Sequence, residues 1–184
     1  MRDTAVFTHR LARTGDIPDL KSLMAASILE LQKDFLSPDA IEASFEVMGL
    51  DTRLIDDGSY FIVECDGVIA GCGGWSRRNT LFGGDHAVVR NDALLDPKRD
   101  AARLRAMYTS PAFVRRGVGR LVLSLCERAA AAEGFTRAEL AATLAGVPLY
   151  RACGYREIER LDVPTSKGIA VPLIRMGKVI STTA

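Results

Sequence analysis

Apolar positions in the first fifty residues recur at helical spacing. Between residues 14 and 35 they fall at i, i+3, i+4 and i+7, which predicts a helix, and Asp16 is predicted to cap its start. A second helix is predicted over residues 36–49, where Ser37 occupies the N-cap position before a proline. Weak alternation over residues 5–12 predicts a strand ahead of both helices.

The clearest strand signal is a pair of apolar runs around a turn. The runs over residues 59–65 and 68–76 flank Asp66 and Gly67, which suit the type I′ turn of a β-hairpin. Three glycines interrupt the second run, at positions 71, 73 and 74. Because glycine is a poor strand residue, we expect a bulge there or the close approach of another element.

The second half of the chain begins with a segment that has no periodicity, residues 76–103. Irregular segments of this length are often functional, and a short strand is predicted around residues 87–90. The patterns after it predict, in order, strand 103–111, helix 113–134, strand 137–143, a short helix 144–154, and strands 155–163 and 169–180. Strands and helices therefore interleave, which predicts an α/β (α+β) fold with a mixed central sheet of about seven strands and helices on both faces.

Composition limits the classes of protein to consider. The chain has 184 residues, which predicts a single domain over residues 1–184, and a net charge of +1, which gives no attraction to nucleic acid or acidic membranes. It contains no apolar run long enough to span a membrane and no apolar leader at its start, so we expect a cytoplasmic protein. Four cysteines without a C-x-x-C pair, and two histidines, predict reduced thiols and no metal site.

Candidate chemistry centres on the sequence VRRGVG, residues 114–119, where a strand gives way to a helix. The first turn of a helix leaves backbone N–H groups without partners, and these groups can bind a phosphate if no side chain blocks them. Gly117 and Gly119 lack the blocking Cβ atoms, and Arg115, Arg116 and Arg120 add positive charge. The stretch matches neither the Walker loop nor the dinucleotide fingerprint.

VRRGVG resembles the [Q/R]-x-x-G-x-[G/A] signature of the GCN5-related N-acetyltransferase (GNAT) superfamily, with valine at its first position. A second block, LYRACGY at residues 149–155, resembles that family's L-Y-x-x-x-G-[F/Y] motif at the expected distance. The clear resemblance covers residues 104–155, and the order of elements around it also agrees. It implies a GNAT fold that binds acetyl-coenzyme A as cosubstrate, without a metal.

The resemblance also implies roles for individual residues. Tyr150 matches the general acid that protonates the leaving thiolate, and Thr143 stands where the family usually has asparagine beside the pantetheine arm. The residues implied to bind the coenzyme are Met107, Tyr108, Thr109, Val114, Arg115, Arg116, Gly117, Val118, Gly119, Arg120 and Thr143.

The motifs do not identify the base that deprotonates the acceptor, nor the residues that contact the acceptor. The candidates for the base are Glu64, Asp85, His86 and Glu139. Asp85 and His86 lie in the irregular segment where an acceptor could reach them. Trp75, the only tryptophan, is a candidate for stacking on the acceptor, although a core position is the simpler interpretation.

Two functions are compatible with these residues. The first is transfer of an acetyl group from acetyl-coenzyme A to an amine of a small molecule or peptide by direct attack, in a protein that, like many of the family, could be a homodimer. The second is a GNAT-fold module that binds coenzyme A or its acyl form as a sensor or regulator without turnover.

Overall fold

The computed structural model describes residues 6–87 and 90–180. Its strands are β1 (Phe7–Leu11), β2 (Tyr60–Cys65), β3 (Val68–Ser76), β4 (Ala102–Thr109), β5 (Arg137–Thr143), β6 (Arg156–Pro164) and β7 (Ala170–Val179). Its α-helices are α1 (Ile17–Leu31), α2 (Pro38–Ser44), α3 (Arg53–Asp56), α4 (Val118–Ala132) and α5 (Val147–Ala152). The predicted order of elements is confirmed in these ranges, with α3 as a short addition.

Seven strands of the described chain form one sheet in the order β1-β2-β3-β4-β5-β7-β6. Neighbouring strands are antiparallel except β4 and β5, which are parallel. α4 and α5 pack with the core cluster on one face of the sheet, and α1 packs with a second cluster on the other face. The predicted mixed sheet with helices on both faces is therefore confirmed.

The irregular segment between β3 and β4 is also confirmed, because its described residues contain only one isolated bridge, between Arg78 and Leu94. The short strand predicted around residues 87–90 falls partly on residues 88 and 89, which lie outside the described residues.

Two local features predicted from the sequence, a hairpin turn and a helix cap, are confirmed, and the prediction of a second helix cap is wrong. Asp66 and Gly67 have φ values of 51° and 77°, as a type I′ turn requires. The Ser37 hydroxyl accepts a hydrogen bond from the backbone N–H of Ala40, as expected of an N-cap. The capping role predicted for Asp16 is wrong: its carboxylate makes no cap bond to α1, because it is held by the Arg10 guanidinium and the backbone N–H of Arg13.

The glycines of β3 allow α4 to lie close on the sheet. A Cβ atom at Gly71 would come within 2.5 Å of Val118 Cγ1, and one at Gly73 within 2.6 Å of Val122 Cγ1. The close approach predicted for this strand is thus made by α4. It brings the start of α4 to the sheet beside β4, where the candidate site lies.

Candidate active site

A gap opens in the centre of the sheet where β4 and β5 diverge. Their pairing consists of Ala102 opposite Ala138 and Arg103 opposite Glu139, at the first residues of both strands. From Leu104 onward, β4 is paired with β3 only, and β5 with β7. Strand-edge backbone groups are therefore left without a strand partner in the gap, and such groups can bind an extended ligand.

β4 also carries a bulge at the gap. Its register against β3 shifts between Tyr108, opposite Cys72, and Arg105, opposite Gly74, so that Ala106 and Met107 together face one residue of β3. Ala106 has a φ of 50°, and its carbonyl accepts a 2.6 Å hydrogen bond from the hydroxyl of Tyr60, which is fully buried. Tyr60 thus holds the bulge in place from the α1 face.

The loop before α4 adopts the backbone conformation that the glycine motif suggests. Gly117 has a φ of 88°, and a Cβ atom added there would meet nothing within 4 Å. The first hydrogen bond of the helix runs from the N–H of Leu121 to the carbonyl of Gly117. The N–H groups of residues 118–120 precede that bond, so they are the unpaired donors of a helix N-terminus.

A cavity of about 700 Å³ joins this loop to the gap. Gly117 and Gly119 line it at one end, Met107 and Thr109 in the middle, and Ile28 of α1 at the other. The cavity therefore passes from the α4 face of the sheet to the α1 face between β4 and β5.

Tyr150 projects into this cavity from α5. The residue is 8 % exposed, and its ring packs edge-to-face on Tyr155, with the ring centroids 6.0 Å apart. The hydroxyl points towards Met107, with its oxygen 3.8 Å from Met107 Sδ. Burial raises the pKa of Tyr150, so the hydroxyl stays protonated at neutral pH and can donate a hydrogen bond or a proton.

The residues predicted to bind the coenzyme are brought together at the cavity, with one exception. Those that line it are Met107, Tyr108, Thr109, Val114, Arg115, Gly117, Val118, Gly119, Arg120 and Thr143. Arg116 is not among them. Its guanidinium lies 5.1 Å from the ring centroid of Phe113, which itself lines the cavity, and 5.9 Å from that of Phe7, so the side chain stacks on these two rings.

The residues predicted to contact the acceptor lie away from the cavity lining. Trp75 is 4 % exposed and packs edge-to-face on Phe135 in the core, which agrees with the simpler interpretation. Asp85 accepts hydrogen bonds from the N–H and hydroxyl of Thr52. The Nε2 atom of His86 is 3.1 Å from the Glu46 carbonyl oxygen, so both side chains hold the irregular segment to the rest of the chain.

The other two candidate bases are engaged in ion pairs. Glu64 contacts Arg10 at 2.9 Å across β1 and β2. Glu139 contacts Arg175 at 2.7 Å and also pairs with Arg103. Neither carboxylate lines the cavity.

Sequence reasoning missed one of the charged residues that line the cavity, Arg105. Its side chain is 3 % exposed, and its Nη1 lies 2.6 Å from Asp51 Oδ2, which is itself 2 % exposed. Arg90 pairs with the same carboxylate, and Arg53 Nε lies 3.7 Å from it. A charged residue in the middle of a predicted central strand was the available signal, because such a position is buried and requires a partner.

Among the described residues, none of the helices is long and apolar enough to cross a membrane, and there is no cluster of three or more side chains suited to a metal ion.

Comparisons with known proteins agree with this geometry. The Acetyltransferase (GNAT) family model matches residues 25–155. A search of curated proteins finds no match. A GCN5-related N-acetyltransferase structure from Rhodopseudomonas palustris is 20% identical, with a TM-score of 0.69 and coverage of 98% of both chains.

Two further similar structures were solved with the coenzyme. The PaiA N-acetyltransferase of Thermoplasma acidophilum, in complex with coenzyme A, is 13% identical, has a TM-score of 0.64, and is matched over 95% of this chain and 99% of its own. YncA of Salmonella typhimurium, solved with acetyl-CoA, is 18% identical, with a TM-score of 0.62 and coverage of 98% and 97%. The fold, the glycine loop and the family match lead to one conclusion: this chain belongs to the acetyltransferase (GNAT) family.

Proposed function

We propose that the protein transfers an acetyl group from acetyl-coenzyme A to the amine of a small molecule or peptide by direct attack. The observation that carries the proposal is the cavity between β4 and β5, which connects the open backbone of the glycine loop with the Tyr150 hydroxyl. A diphosphate-bearing thioester fits such a cavity with its charged end at the loop and its acyl end in the gap.

The glycine loop supplies the contacts for the diphosphate. The unpaired N–H groups at the start of α4 donate hydrogen bonds, and the helix dipole adds about half a positive charge. Arg115 and Arg120 line the same end of the cavity and add full charges. The β4 edge from Met107 to Thr109 offers backbone groups to the pantetheine arm and to the oxyanion that forms on the thioester.

Tyr150 serves as the general acid in this proposal. The amine nitrogen bonds to the thioester carbon, the carbon–sulfur bond of the resulting adduct breaks, and the Tyr150 hydroxyl gives its proton to the departing sulfur. The tyrosine then recovers the proton that the new amide nitrogen must lose. Tyr150 is protonated at neutral pH, so its hydroxyl holds a proton when the sulfur departs.

Direct attack is favoured over an acetyl-cysteine intermediate by the state of Cys72, the one cysteine among the described lining residues. Its thiol is fully buried, and its sulfur lies 3.3 Å from the hydroxyl oxygen of Tyr60. Burial raises the pKa of Cys72 to about 12, so the reactive thiolate is scarce at neutral pH.

Two measurements test the proposal. Calorimetry with acetyl-coenzyme A is expected to detect binding, and thiol release is expected with at least one member of a broad amine panel. Binding without thiol release from any amine would favour the regulatory module instead. Absence of binding would contradict both functions.

A further inference from the structure

The half of the cavity on the α1 face is mainly apolar, and its polar side chains include Ser27, Gln32 and Arg105. It is formed by α1 and the chain after it, by the chain after α2, by the irregular segment, by β4 and by β7. Its apolar side chains are Ile28, Leu31, Phe35, Met48, Phe82 and Leu173. Since the glycine loop occupies the α4 face, this half is the part of the cavity open to an acceptor.

The described residues that line the whole cavity include no aspartate, glutamate or histidine. Its ionisable side chains are Cys72, Arg105, Tyr108, Arg115, Arg120 and Tyr150. Burial raises the pKa of the thiol and of both tyrosines, so all three are protonated at neutral pH. The remaining groups are arginines, so none of the described residues that line the cavity has a side chain able to accept a proton from an ammonium.

Asp51, the carboxylate that pairs with the cavity-lining Arg105, cannot serve as that base. It lies behind Arg105 and is not part of the lining, and Arg90 pairs with it from another side. Burial by itself would raise the pKa of Asp51, but the two arginines outweigh that effect and lower it. The charged side chain that lines this half is thus Arg105, whose guanidinium is bonded to Asp51 and to the Gly83 carbonyl and offers no counter-charge to a cation.

We propose that the acceptor enters this cavity as a neutral amine attached to an apolar body. The inference rests on the proposed function and narrows its substrate class. It favours the α-amine of a peptide or amino-acid amide and aromatic amines, and it disfavours polyamines and lysine side chains.

Proton balance gives the chemical reason. A neutral amine loses one proton when the amide forms, and the departing sulfur gains one, so Tyr150 can pass a proton from one to the other with no net release. An ammonium carries a second proton that must be removed first, and the side chains that the structure describes around the cavity provide no acceptor for it. Moving the ammonium from water into apolar surroundings without a counter-ion adds a further cost.

The size of the preference for α-amines over alkyl amines follows from the pKa of each acceptor. An α-amine with a pKa of about 8 is neutral in about one molecule in ten at pH 7, whereas an alkyl amine with a pKa of about 10.4 is neutral in about one in 2,500. The expected preference at pH 7 is therefore about 10²-fold in kcat/KM. It should fall by about tenfold between pH 7 and pH 9, because the α-amine is already neutral while the alkyl amine continues to lose protons.

The test measures thiol release from acetyl-coenzyme A against phenylalaninamide, 2-phenylethylamine and 1,5-diaminopentane from pH 6 to pH 10. We expect kcat/KM at pH 7 to decrease in that order. For each acceptor, kcat/KM should rise with pH in proportion to the fraction of that amine that is neutral. A shared apparent pKa below 7 for all three acceptors would reveal a base on the enzyme and overturn the inference. Equal or better use of 1,5-diaminopentane at pH 7 would do the same.

Two variants of Phe35 provide a matched comparison. Phe35 is 47% exposed at the cavity edge, so substitution leaves the core intact. Phe35→Glu adds a carboxylate and is expected to raise kcat/KM for 1,5-diaminopentane severalfold at pH 7, relative to Phe35→Gln, which has the same shape without the charge. Equal values in the two variants would contradict the inference. Absence of thiol release from every amine at every pH, with coenzyme binding intact, would instead remove the proposed function.

Discussion

Gly117 and Gly119 stand two residues apart, yet glycine suits each position for a different reason. Gly117 has open space around it but a left-handed backbone, so any side chain there is strained. Gly119 lies within the first turn of α4, where a Cβ atom would come 2.7 Å from Leu149 Cδ2. Gly117 therefore allows the conformation of the loop, and Gly119 allows α5 to pack against α4. Both glycines also leave backbone N–H groups accessible.

Gly117→Val tests the role of the loop in coenzyme binding. We expect the Kd for coenzyme A, measured by calorimetry, to rise at least tenfold, because the strained loop no longer presents its N–H groups together. Gly58→Val is the control, since Gly58 also has a left-handed φ of 65° and open surroundings but lies outside the cavity lining. Equal Kd values for the two variants would show that the glycine loop does not bind the coenzyme.

Tyr150→Phe tests the general acid. The ring and its packing on Tyr155 are retained while the proton donor is lost, so we expect kcat to fall by about 10²-fold or more with little change in coenzyme Kd. Steady-state kinetics and calorimetry on the same preparations measure the two quantities. Unchanged turnover would remove Tyr150 from the mechanism.

At the scale of elements, the site depends on how α4 sits on the sheet. Gly71 and Gly73 let the helix approach β3 closely, and this fixes where the N-terminus of α4 meets the gap. The sequence showed the glycines and predicted a close approach, but it did not show which element approaches. Local spacing carries no information about a partner that is some fifty residues away along the chain.

Gly73→Ala is expected to lower the free energy of unfolding by about 1–3 kcal/mol, because its Cβ would lie 2.6 Å from Val122 Cγ1 and 2.7 Å from Met107 Cγ. Gly15→Ala serves as the matched control, since a Cβ there meets nothing within 4 Å, and its effect should stay within about 0.5 kcal/mol. Urea denaturation of both variants measures the difference. Similar stabilities would mean that α4 can shift without cost.

For the whole molecule, the cluster around Asp51 joins segments that are distant in sequence. Arg53 is the first residue of α3, Arg90 lies in the irregular segment, and Arg105 lies in β4, and all three face one buried carboxylate. Arg105 also donates a hydrogen bond to the Gly83 carbonyl. The cluster thus fastens the irregular segment to the wall of the cavity.

Asp51→Asn is expected to destabilise the protein by about 3–5 kcal/mol at pH 7, because the buried arginines lose their counter-charge. The pKa of Asp51 is lower in the folded chain than the usual aspartate value of about 3.9. The ionised carboxylate therefore stabilises the folded state fully above about pH 3.9, and this stabilisation is lost as the pH falls from there through the lower pKa of the folded chain. Urea unfolding at pH 7 and pH 3 should therefore show a larger loss for the wild type than for the variant.

Asp92→Asn provides the control for this cluster. Asp92 is 47% exposed and pairs with Arg53, so its loss should change stability by less than about 1 kcal/mol. Equal destabilisation by the two substitutions would contradict the special role of the buried carboxylate.

The sequence by itself determined the order of the elements, the type I′ hairpin and the glycine loop before α4, because each depends on residues close together in the chain. Only the tertiary structure decided the gap between β4 and β5, the bulge held by Tyr60, and the pairing of Asp51 with Arg105. It also removed all four candidate bases from the cavity and placed Trp75 in the core. These features arise where side chains from separate segments meet. The spacing of residues along one segment does not show which side chains will be buried there or which charges will pair.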